Sequence, residues 1–64
     1  MINYRNFYFT IKKKKISQYQ LINKYYIPSG TLDRIRNNKS ISLSTIESLC
    51  KILNCAVEDI VTIS

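Results

Sequence analysis

Apolar residues recur along this chain at three- and four-residue intervals, in stretches separated by short polar breaks. That period is the signature of helices with one buried face. Phe7 and Ile11 lie four apart and predict a first helix, with Asn3 as its N-cap, Lys14 near its end, and Tyr4 and Tyr8 on the flanks of the buried stripe. Ile16 falls in the loop that follows and is expected to plug the core. Leu21, Ile22 and Tyr25 predict a second helix from Ser17 to about Tyr25. Ser17 with Gln20 three residues on forms a capping box, which satisfies two backbone donors left over at a helix start. After Ile27, Leu32 and Ile35 mark a third helix over Ser29–Asn37, entered through Pro28. Leu43, Ile46, Leu49, Cys50 and Leu53 form one continuous face of a fourth helix that opens at Ser42, with Asn54 as its left-handed cap. Val57, Ile60 and Val61 predict a short fifth helix with those residues turned inward. The pattern as a whole predicts a compact all-α, five-helix fold.

The two short stripes within Gln18–Asn37 sit so close together that they must pack across a sharp corner. This is the geometry of a helix-turn-helix, whose second helix keeps a polar outer face for the DNA major groove. The stretch resembles the Xre/Cro, or lambda-repressor-like, family. Ser17-Gln18 matches the opening of that family's second helix, and Gly30-Thr31-Leu32-Asp33-Arg34-Ile35 matches its third. The likeness continues through the loop Asn37-Asn38-Lys39, the helix start Ser42-Leu43, the helix end Lys51-Ile52-Leu53-Asn54 and the closing Val57-Glu58-Asp59-Ile60. It spans roughly residues 4 to 62 and implies a lambda-repressor-like DNA-binding domain, with the motif at about residues 17 to 38 of a single domain, 1–64.

The chain departs from the family in three places. Tyr26 stands where the turn usually holds Gly, which implies a bulky residue at positive φ. Arg36 stands where many relatives have a Glu paired with an Arg of the first helix. The matching first-helix residue is Ile11, so that ion pair is absent and Arg36 is free for DNA. Ala56 replaces a common Ser or Thr cap, so the last helix is expected to fray.

Composition narrows the function. A chain of 64 residues with one Gly and one Pro is too poor in turn formers for a β fold, and it buries only about 60% of its unfolded surface. No apolar run approaches the roughly 20 residues that span a bilayer, and no signal peptide is visible, which predicts a cytoplasmic protein without membrane contact. The net charge is +6, unevenly spread: residues 1–45 carry nine Lys/Arg against Asp33 alone, while residues 46–64 carry Lys51 against three acids. A basic front and an acidic back suit contact with a polyanion, the bland alternative being a lysine-rich surface. With no His, four acids and no Gly-rich phosphate loop, the chain is not expected to be an enzyme, and no cofactor or small-molecule ligand is indicated. Cys50 and Cys55 fit no metal-ligand spacing and are expected to be reduced thiols acting as small hydrophobes.

The resemblance implies base contacts from Ser29, Gly30, Asp33 and Arg34. Arg34 is the strongest candidate, because a guanidinium can bond guanine O6 and N7 together. Its alternatives are a solvated surface Arg or an internal pair with Asp33. Ser29 can donate to a base or cap its own helix, and Gly30 can admit a close backbone approach or merely loosen the helix start. The phosphate-facing set is Ser17, Gln18, Thr31, Arg36, Asn37, Asn38, Lys39 and Ser42, with Ser40 able to add a hydroxyl. Gln18 lies where helix amides favour an anion, with capping as its alternative role. Lys12–Lys15 form a charge run of the kind that is usually solvated, so at most one or two of them are expected to reach DNA. Tyr19 is the ring expected to be exposed on the DNA side. The seven aromatic residues otherwise raise a single-strand stacking alternative that core packing explains better.

These features predict a sequence-specific double-stranded DNA-binding regulator, a repressor acting by operator occupancy. One small domain reads few base pairs, which predicts a homodimer through the C-terminal region on a two-fold operator. The alternative is a protein-interaction module of the same fold, such as an antirepressor or antitoxin-like partner. The Ile, Lys and Asn content suggests an AT-rich bacterial or phage genome.

Overall fold

The computed structural model describes residues 1–63. A two-residue strand β1 (Ile2–Asn3) leads into four α-helices: α1 (Arg5–Lys13), α2 (Gln18–Asn23), α3 (Ser29–Arg36) and α4 (Leu43–Leu53). A 3₁₀ turn, Val57–Asp59, and a second short strand β2 (Thr62–Ile63) complete the chain. The helices enclose a core of Tyr4, Phe7, Ile11, Leu21, Ile27, Leu32, Ile35, Leu49, Leu53 and Ile60, with Ile16, Ile22, Tyr25 and Cys50 packed half-buried against it.

Each helix ends in the same way. Lys15, Tyr26, Asn38 and Asn54, one after each helix, hold left-handed backbone at φ of 58°, 59°, 55° and 51°. The next amide then turns back onto the helix: Ile16 N–H to Ile11 O at 2.9 Å, Ile27 to Leu21 at 2.9 Å, Lys39 to Arg34 at 2.9 Å and Cys55 to Cys50 at 3.1 Å. Such reversals satisfy carbonyls that the helix leaves open and fold an apolar residue back under its last turn. Ile16 and Ile27 enter the core by this route, and the positive φ expected at Tyr26 is present. Helix starts are capped less uniformly. In α2 the reciprocal box forms, with Gln20 N–H donating to Ser17 Oγ at 3.1 Å and Ser17 N–H to Gln20 Oε1 at 2.9 Å. In α4 Ser42 Oγ accepts from Thr45 N–H at 3.2 Å.

Several expectations need correction. The fifth element is a single 3₁₀ turn, so there are four α-helices rather than five. Ala56 has no side chain to cap it, and the turn instead closes on itself through Asp59 Oδ2, which accepts from Ala56 N–H at 3.1 Å. The chain then extends into β2, which pairs antiparallel with β1 in the register Ile2 to Ile63 and Asn3 to Thr62. Asn3 therefore belongs to a strand, although its Oδ1 still accepts from Arg5 N–H at 3.2 Å and so prepares the start of α1. Tyr4 is no flank residue but a core residue, 1% exposed. Leu43 was expected on the buried face of α4 but is 81% exposed, because it is the first residue of that helix and stands clear of the layer that covers Ile46. Val57 is also exposed, since the 3₁₀ turn leaves it outside while Ile60 enters the core and Val61 packs half-buried against it. The second helix stops at Asn23, earlier than expected, because the reversal through Tyr26 begins there.

The C-terminal segment is held to α1 by side chains that grip its carbonyls. Thr10 Oγ1 donates to Asp59 O at 2.7 Å, and Asn6 Nδ2 to Glu58 O at 3.0 Å. Thr10 is the one buried polar residue among those described, and this bond satisfies it.

Candidate nucleic-acid interface

Leu32 and Ile35 bury one side of α3. At 100° per residue this turns Gly30, Asp33, Arg34 and Asn37 to the opposite side, and all four are exposed. Ser29 is exposed as well, while Thr31 is half-buried on the flank. Pro28, not Ser29, is the N-cap of α3, and no side chain caps this end. The Ser29 hydroxyl is thus spared the capping role. Around Gly30 an added Cβ would meet nothing within 4 Å, so the protein itself does not require glycine there.

Arg34 neither hangs free in solvent nor pairs with Asp33. Its Nε donates to the Ser40 carbonyl at 2.8 Å, which lays the guanidinium along the loop after α3, and this bond does not use its two terminal nitrogens. Asn37 Nδ2 donates to Asp33 O at 2.8 Å, so its side chain closes the last turn of its own helix. Asn38 is the left-handed residue, and Lys39 is exposed directly after it. Arg36 is exposed, with a long contact from Nε to Leu32 O at 3.4 Å. Thus α3 and its loop expose Arg34, Arg36 and Lys39, three cations against Asp33 alone, with Arg34 on the outer face and Arg36 on the flank.

The rest of the expected phosphate-facing set is more mixed. Ser17 and Ser42 are exposed but employed as N-caps. Gln18, the first residue of α2, is half-buried and takes no part in the cap, which Ser17 and Gln20 complete between them. Ser40 is exposed, and its carbonyl is the one that holds Arg34. Lys12–Lys15 are all exposed, as is Tyr19, at 74%.

Sequence reasoning missed one participant. The Tyr4 hydroxyl donates to the Lys39 carbonyl and so ties the start of the chain to the loop beyond α3. Burial pushes the Tyr4 pKa up, while the nearby Arg34 guanidinium pulls it down. Nothing local to Tyr4 signals a partner 35 residues away.

A capped helix, a left-handed turn and a second helix with a polar, cationic outer face define a helix-turn-helix domain. The chain belongs to the Cro/C1-type HTH DNA-binding family, whose model matches residues 10–64. The crystal structure of the transcriptional regulator VanUg (Form II) superimposes with a TM-score of 0.86 at 20% identity, over 95% of this chain and 81% of that one. At that identity the likeness bears on the fold alone. No curated protein matches the chain at a significant level. No helix among the described residues is long and apolar enough to cross a membrane.

Proposed function

We propose that this protein is a non-enzymatic, cytoplasmic transcriptional repressor that binds double-stranded DNA sequence-specifically and acts by occupying its operator. The observation that carries the reading is the exposed outer face of α3, where Arg34 is fixed by the Ser40 carbonyl, with exposed Arg36 on the helix flank and exposed Lys39 in the loop that follows. In this reading Ser29, Gly30, Asp33 and Arg34 meet base edges. Ser17, Gln18, Thr31, Arg36, Asn37, Asn38, Lys39 and Ser42 meet the sugar–phosphate backbone, positioning the domain without reading sequence. A two-fold operator bound by a homodimer through the C-terminal region would supply the specificity that a single recognition helix lacks.

Selection of bound sequences from a random duplex library provides the operator on which the division of roles is tested. Arg34→Ala is expected to weaken specific binding by about 1–3 kcal/mol and relax preference at one base pair. Lys39→Ala is expected to weaken binding evenly across sequences and reduce the salt slope by about one. An unchanged operator preference in folded Arg34→Ala would remove the base-reading role. Failure of the wild type to shift duplex DNA even at low salt would favour the protein-interaction module of the same fold.

A further inference from the structure

We infer that Tyr4, outside the helix-turn-helix in sequence, is a positioning residue for the DNA-facing loop after α3, acting through its hydroxyl. The inference rests on the DNA-binding reading above and extends it to a residue that touches no DNA.

The backbone of Lys39 is held through both of the peptide groups that it joins. Its N–H donates to Arg34 O at 2.9 Å, which closes the helix, and its carbonyl accepts from the Tyr4 hydroxyl. The next carbonyl, of Ser40, accepts from Arg34 Nε at 2.8 Å. Tyr4, Lys39, Ser40 and Arg34 thus form one connected network in which three successive peptide planes are fixed. The middle one is fixed from the core and the outer two from α3. The Tyr4 ring is 1% exposed and sits among core residues, so its hydroxyl reaches the loop from an anchored base. Arg34 is exposed and long, and it gains a defined direction only while the Ser40 carbonyl stays in place. Lys39 likewise projects from a root whose orientation the Tyr4 bond sets.

The chemistry separates this role from core filling. Phenylalanine would occupy the same space and keep the same apolar contacts. It would release only the Lys39 carbonyl, whose bond is part-buried on an otherwise exposed residue, so that water can replace the hydroxyl once the peptide turns outward. The loss should fall on loop order and on DNA, with little on the fold.

The test is Tyr4→Phe, compared with wild type and with Tyr8→Phe, which removes the same atom from an exposed ring on α1. The expected result for Tyr4→Phe is native circular dichroism, duplex affinity about three- to tenfold weaker, as one lost hydrogen bond allows, a shallower salt dependence, and faster amide exchange confined to Asn38–Ile41. Tyr8→Phe should match the wild type. If wild type binds duplex and folded Tyr4→Phe binds as tightly, with the same salt slope and the same exchange at Asn38–Ile41, the positioning role is overturned. A wild type that binds no duplex would instead sink the DNA-binding reading. In that case unchanged exchange at Asn38–Ile41 in Tyr4→Phe would separately remove the hold on the loop.

Discussion

At the scale of single residues, the four left-handed caps differ most in how well the residue suits its backbone. Asn38 and Asn54 suit that backbone, because a short polar side chain tolerates it. Lys15 and Tyr26 do not, and a side chain in this region costs about 1–2 kcal/mol. The position of Tyr26 was legible because the family places glycine there, but the sequence carries no sign that Lys15 does the same. Tyr26 is 84% exposed, so removing its ring gives up little burial. Tyr26→Gly should therefore stabilise the protein by about 0.5–1 kcal/mol after the added freedom of the unfolded chain is deducted. The measurement is a thermal melt, with a rise of several degrees expected in a domain of this size. A lower midpoint would mean that the ring makes a stabilising contact. Gly30 offers the opposite experiment. An added methyl meets nothing within 4 Å, so Gly30→Ala should raise stability by about 0.5 kcal/mol through better helix propensity. The same methyl should weaken binding to the selected operator if α3 lies against the groove at this point. Titrations showing equal or tighter binding would take Gly30 out of the interface.

At the scale of elements, what could be read from sequence was what is local. The capping box of α2 spans four residues, and the left-handed Asn54 sits next to the helix that it ends. Both follow from near neighbours. The exposed face of α3 was legible too, because Leu32 and Ile35 fix the rotation of that helix. Elements that depend on distant partners were not. The strands β1 and β2 are two residues each, too short to show alternation, and they exist only because the fold brings them together. The 3₁₀ turn is likewise shaped from α1, by the grip of Asn6 and Thr10 on its carbonyls. The same packing sets a pH response at the end of α4. The Cys55 thiol is pushed up from 9.0 to about 11, chiefly by burial and then by the neighbouring Cys50 thiol and the Asp59 carboxylate, with the Lys14 ammonium working against them. The fold thus favours the neutral thiol. Its contribution to stability is complete below pH 9.0 and drains away as pH climbs through about 11. Urea unfolding at steps across that window should show wild-type stability falling more steeply than that of Cys55→Ala. Parallel curves would show that Cys55 does not titrate differently in the folded protein. Tyr4 is also raised, but it is present in both proteins, so the comparison isolates the thiol.

At the scale of the whole molecule, charge and apolar surface divide. The cations gather in the first forty-five residues, while the C-terminal portion carries three of the four acids and leaves Ile63 78% and Val57 52% exposed. Exposed apolar side chains rimmed by polar residues favour contact with another surface. If the C-terminal region joins two copies, Ile63→Asp should leave the circular dichroism unchanged while lowering both affinity and cooperativity on a two-fold operator. Sedimentation of the wild type at high concentration provides the direct check: a monomer that binds half-site and palindrome equally well would rule the dimer out. The pairing of Ile2–Asn3 with Thr62–Ile63 has a topological consequence as well. The backbone is nearly a ring, so the spatial arrangement of the helices does not depend on where along that ring the chain is opened. A short linker across the sheet would let new termini be placed in an exposed loop away from the helix caps with no helix displaced. The recognition surface would then be a property of circular order rather than of linear sequence.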